Sequence, residues 1–178
     1  VLSALRHIAR GKFARSERAA TAVEFALIAP IFIAFIFAVL QYSVVFLAKS
    51  YLETVTETAA RLVQTNQTNN LTQAQFTTKV CGLLGAFFSC GNLIVQLGPA
   101  PTTAAQIPAS LPQFSSSGTL LNPTTYGYVA PPSKMLLVVM YEWPVYGGPL
   151  GLYLATFSNN TMLMSSTQIF QTEINNNG

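Results

Sequence analysis

Hydrophobic positions follow three different patterns along this chain. From Phe25 to Ala48 the sequence reads FALIAPIFIAFIFAVLQYSVVFLA, without a formal charge. At helical rise such a run covers roughly 36 Å, enough to cross a hydrocarbon core of about 30 Å with some tilt. Pro30 falls early in it, where the missing N–H removes one helical hydrogen bond and predicts a bend. Past Ala48 the apolar residues thin out to helical spacing. Tyr51, Leu52, Val55, Ala59, Leu62 and Val63 recur at three- and four-residue intervals, with Glu53, Glu57 and Arg61 on the other side. The two patterns join into one predicted helix over about 21–64, with Glu57 set one turn before Arg61 for a weak ion pair. The polar cluster TNQTNN ends it.

The third pattern is β-like. Thr72 and Gln75 have the spacing of a capping box, and Phe76, Val80, Leu83 and Leu84 form an apolar face behind them. They predict a short helix over 73–85. NLIVQL (92–97), MLLVVMYEW (135–143) and MLMSSTQIFQTE (162–173) predict strands, although the Leu136–Met140 run alone also suits a buried helix. Between the first two strands, residues 98–133 hold seven of the ten prolines and predict a long loop with little regular structure. The expected fold is α+β: a long N-terminal transmembrane helix continuing into a small head, with an antiparallel sheet packed on the helix's outer half.

Charge orients the span. The net charge is +3, and Arg6, Arg10, Lys12, Arg15 and Arg18 precede the apolar run, with only Lys49 just after it. The positive-inside rule puts the N-terminus in the cytoplasm and the head outside. Those five cations are expected at lipid headgroups rather than on nucleic acid, because of the span that follows them. The expected divisions are a basic leader over 1–24, a membrane helix over 25–48 and a head over 49–178. A cleaved signal peptide is the rival pattern, but the apolar run is too long and Phe46 stands where a small residue is wanted. Outside the cytoplasm, Cys81 and Cys90 predict one disulfide; two thiols without a nearby His or Asp are only half a zinc site.

Composition argues against chemistry. Charged residues make up 8% of the chain, there is no Asp, and His7 is the one histidine. No nucleophile–base set, phosphate loop or carboxylate pair stands outside the membrane, so neither an enzyme nor a bound cofactor is expected. Phe32, Phe35, Phe37 and Phe46 are expected to face lipid or other helices rather than a pigment or quinone. Trp143, Tyr141 and Tyr146 read as core packing ahead of a contact patch.

The string SERAATAVEFALIAP (16–30) resembles the N-terminus of TadE-like proteins, the minor pilin-like (pseudopilin) proteins of the bacterial tight-adherence pilus system. A second block, ARLVQT (60–65) with Phe76, Cys81, Cys90 and the strand at 93–97, extends the resemblance over about 16–97. The resemblance implies a structural subunit acting in pilus assembly. It also implies cleavage between Ala19 and Ala20 by a prepilin peptidase, with Ala19 standing where the family pattern commonly has Gly. Glu24 would become the fifth mature residue, set at the start of the apolar helix with Phe25 and followed by Pro30, and would meet a neighbouring subunit's N-terminal amine. The other membrane proteins contacted by 25–48 would then be pilin-like. The alternative job for the same fold is an accessory single-span subunit of a larger photosynthetic or respiratory complex. For Glu24 the competing reading is a helix-entrance carboxylate favoured by the helix dipole.

Overall fold

The computed structural model describes residues 17–65, 67–68, 70–86, 88–103, 106–107, 111–122, 124–145 and 154–173, with side chains from Ala20 onward. Arg6, His7, Arg10, Lys12, Arg15 and Tyr146 lie outside the described residues, as does the side chain of Arg18. Helix α1 spans Glu17–Gln64 and helix α2 spans Gln73–Leu83. A 3-10 turn at Cys90–Asn92 leads into strand β1 (Leu93–Pro99), followed by β2 (Lys134–Pro144) and β3 (Thr161–Gln171). The described residues divide into two units, the first within residues 17–43 and the second within 44–145 and 154–173.

In the first unit the described residues are those of α1. It starts at Glu17, one turn earlier than its apolar pattern predicts, and continues through Pro30 as one helix. Proline lacks the N–H that would reach the Ala26 carbonyl, and the flanking turns hold the helix across that gap. Val23, Leu27, Ile31, Phe35 and Leu40 are all exposed. Ser43 turns its hydroxyl inward onto the Val39 carbonyl at 2.8 Å, so that polar group is satisfied within the helix.

The second unit holds the core. Its sheet has the order β1-β2-β3, antiparallel throughout, with Leu97 opposite Leu137 and Leu137 opposite Gln168. Odd-numbered residues of β2 face α1, where Met135, Leu137, Val139 and Tyr141 bury against Leu52, Val55, Ala59 and Val63. Phe76 and Val80 close this core from α2, whose capping box forms as predicted: Thr72 receives the Gln75 N–H, and Gln75 accepts the Thr72 N–H at 2.9 Å. Even-numbered residues Leu136, Val138 and Met140 face the other way and are also buried. Burial on both faces explains why this strand reads as an unbroken apolar run.

Some boundaries differ from expectation. α2 stops at Leu83, because Leu84 turns to an extended conformation and its N–H reaches back to the Cys81 carbonyl. β1 runs two residues further, to Pro99, while Asn92 belongs to the 3-10 turn. Tyr51 and Leu62 do not join the buried helix face: Tyr51 is exposed and Leu62 half-buried. The 98–133 segment has short isolated bridges, at Leu97 with Tyr126 and Phe114 with Leu120. It also has a packing role that its composition hides. Ala100, Leu111 and Phe114 cover the second face of the sheet.

Candidate assembly surface on the apolar helix

Within α1 the residues expected to matter sit in sequence on one exposed element. Ala20, Glu24, Phe25 and Pro30 are all exposed, and Ala19 lies in the backbone of the helix's first turn. Phe25 is 73% exposed, an arrangement that water opposes and that lipid or another helix would relieve. One helix among the described residues is long and apolar enough to cross a membrane, and it is this one.

The early helix start changes the electrostatics of Glu24. A helix dipole favours a carboxylate only within about the first turn. With α1 beginning at Glu17, Glu24 lies beyond that turn, so in the uncut chain the dipole reading loses most of its force. The described residues form one ion pair, Arg61 with Glu57 at 3.0 Å, and Glu24 is not in it. A charge at the start of an apolar run therefore has no compensating group within the described chain. The geometry places Ala20 and Glu24 one turn apart on the same helix face.

In the second unit, Cys81 and Cys90 form a disulfide with Cα atoms 5.6 Å apart. The bridge closes a loop that delivers Phe88 to an aromatic cluster. Its ring stacks on Tyr51 at 5.7 Å and meets Tyr141 edge-on at 4.9 Å and Trp143 at 5.7 Å. The Tyr51 hydroxyl donates to the Leu83 carbonyl, and the Tyr141 hydroxyl accepts the Ser89 N–H at 2.8 Å. Trp143 and Tyr141 are thus packing residues around Phe88, a partner that sequence reasoning did not single out. Its only signal was position, a large apolar residue inside the predicted disulfide loop. Tyr126 lies at the core's edge beside Phe76, its hydroxyl buried without a hydrogen-bond partner. Burial pushes that phenol above its ordinary range. No cluster of three or more His, Cys, Asp or Glu able to hold a metal occurs among the described residues.

A long exposed apolar helix and a small disulfide-bonded α+β head together define the class: a membrane-anchored protein with one candidate span among the described residues. A family model described as TadE-like protein matches residues 19–61, within α1. That match includes Ala19, Ala20, Glu24, Phe25 and Pro30. It stops short of Phe76, Cys81 and Cys90, so the second block of resemblance beyond residue 61 rests on the sequence alone. Comparisons with curated proteins and with solved structures give no match.

Proposed function

We propose that the chain is a pseudopilin-like structural subunit that acts in assembly of a tight-adherence pilus. Residues 25–48 would lie in the inner membrane, with the basic leader over 1–24 in the cytoplasm and the head over 49–178 in the periplasm. Before cleavage, Arg6, Arg10, Lys12, Arg15 and Arg18 would rest on lipid headgroups, consistent with the positive-inside rule. The mechanism is association: the apolar helix packs against neighbouring helices, and Glu24 sets the register by meeting a cationic partner.

The observation that carries this reading is the position of Glu24. It is exposed beyond the first turn of α1, next to Phe25, inside the TadE-like segment. A carboxylate at the edge of hydrocarbon costs a few kcal/mol unless it is paired or drawn to the interface. An amine freed by cleavage at Ala19–Ala20 supplies such a partner. That bond lies in the first turn of α1, so a prepilin peptidase must open that turn before cutting. Such terminal turns fray readily.

Intact mass of the protein extracted from native membranes tests the assignment. Loss of residues 1–19 is the expected result. Retention of those residues, together with constant-ratio co-purification with a respiratory or photosynthetic complex, would assign the accessory role instead.

A further inference from the structure

We infer that the outer edge of β3 is a docking site for an extended strand of a partner protein. The partner strand should be apolar on one face and should carry a basic residue on the other. This goes beyond the assembly role of α1 and uses none of its residues before Lys49.

Hydrogen-bond alternation shows which backbone groups are free. Leu97 in β1 gives its N–H to Thr125 and receives the Gly127 N–H, so its groups point away from β2. In an antiparallel sheet this direction alternates along and across the ladder. Leu97 faces Leu137, and Leu137 faces Gln168, so the even residues of β3 bond to β2. The odd residues Leu163, Ser165, Thr167, Ile169 and Gln171 turn their N–H and C=O outward. The same parity places the Glu173 N–H on the Gln64 carbonyl and the Thr172 N–H on the Ser133 carbonyl.

The two edges of the sheet differ. The β1 edge is covered, by the 125–127 segment at Leu97 and by the Gln73 side chain on the Val95 carbonyl. No described backbone group bonds the outward groups of Leu163 through Gln171. Free edges are normally guarded by lysine, proline, bulges or short length. Between Thr161 and Gln171 there is no charge, proline or glycine, and the pairing with β2 runs residue for residue without a bulge. Such an edge is suited to strand addition.

The surfaces flanking the edge state the partner's chemistry. On the α1 side a groove lies between Ser166 and Gln168 of β3 and Lys49, Glu53 and Glu57 of the helix. The groove's charged lining is two carboxylates to one cation, Lys49; Glu57 is paired with Arg61 and Glu53 has no ion pair among the described residues, so this face suits a basic side chain at Glu53. On the opposite side Ile169 is 62% exposed, and the adjoining groove is lined by Ile107, Leu111 and Leu136. That face suits apolar side chains.

The test uses the full chain in detergent micelles with an acetylated peptide of about seven residues, alternating valine with threonine and one central lysine. Hydrogen exchange is read at the amides of Leu163, Ser165, Thr167 and Ile169. The peptide should slow them by about tenfold or more, and the same peptide N-methylated at alternate amides should not. Glu53→Gln should weaken the lysine peptide but not one with threonine in its place. Unchanged exchange at saturating peptide, or equal protection by the methylated peptide, would overturn the proposal. So would protection before any peptide is added, which would mean that a second copy or the chain itself already fills the edge.

Discussion

Tyr126 shows how a single residue here trades packing against polarity. Its ring lies 5.8 Å from that of Phe76, while its hydroxyl is buried without a partner. Replacing it with phenylalanine keeps the packing and removes the orphaned group, so Tyr126→Phe should hold or raise the melting temperature of the head. The pH dependence has a definite sign. Burial raises the folded phenol above its ordinary value of 10.0. Below that value both states keep the proton and stability is unaffected; above it the unfolded state releases the proton first and stability falls. A melting series from about pH 9 to pH 11 should therefore show a smaller alkaline loss in Tyr126→Phe than in the parent. Phe76 and Phe25 give a second contrast. Phe76 is fully buried, and Phe76→Ala should cost the head roughly 3–5 kcal/mol by denaturant titration. Phe25, exposed on the apolar helix, should leave head stability unchanged when truncated.

Among the elements, α2 and the disulfide loop hold the head's corner together. Thr72→Ala removes the capping interaction with the Gln75 N–H and should destabilise the head by about 1 kcal/mol, read as a lower denaturation midpoint. Replacing Cys81 and Cys90 by serine should cost roughly 2–3 kcal/mol, given the short loop. It should also loosen Phe88 from Tyr51, Tyr141 and Trp143, visible as a change in Trp143 fluorescence. Most of these elements were legible in the sequence, because each is governed by local rules. The three- and four-residue spacing of Leu52, Val55 and Ala59, the Thr72–Gln75 box and the β-branched run at Val138–Val139 name their own conformations. What stayed hidden depends on contacts between distant residues. Leu111 and Phe114 sit among prolines and polar residues, and nothing local reveals that they cover Leu136, Val138 and Met140. The start of α1 was misplaced for a different reason: the helix extends back through Glu17 and Arg18, before the apolar pattern begins. The candidate residues of the anchor were legible as a motif, and the free edge of β3 was not, because an edge exists only once strand order is known.

For the whole molecule, the scarcity of charge takes on a specific meaning. The apolar surface of α1 calls for lipid and helical neighbours, and the outer backbone groups of β3 have no backbone partner among the described residues. A protein facing water alone rarely leaves both exposed. The head's low charge also suits an acidic exterior, where carboxylates would lose charge in any case. The open edge of β3 favours coverage by other subunits instead. Both surfaces point to a chain that works through contacts, in keeping with the TadE-like match over residues 19–61. The proposed role of Glu24 is the part of this account that a single experiment reaches most directly. Glu24→Ala should be introduced in cells that carry this chain as their only copy. Surface pili are then counted by electron microscopy, with the Cys81–Cys90 disulfide assayed in the same cells to show a folded head. The account predicts an oxidised, membrane-anchored protein and few or no pili; normal pilus numbers in that variant would contradict it.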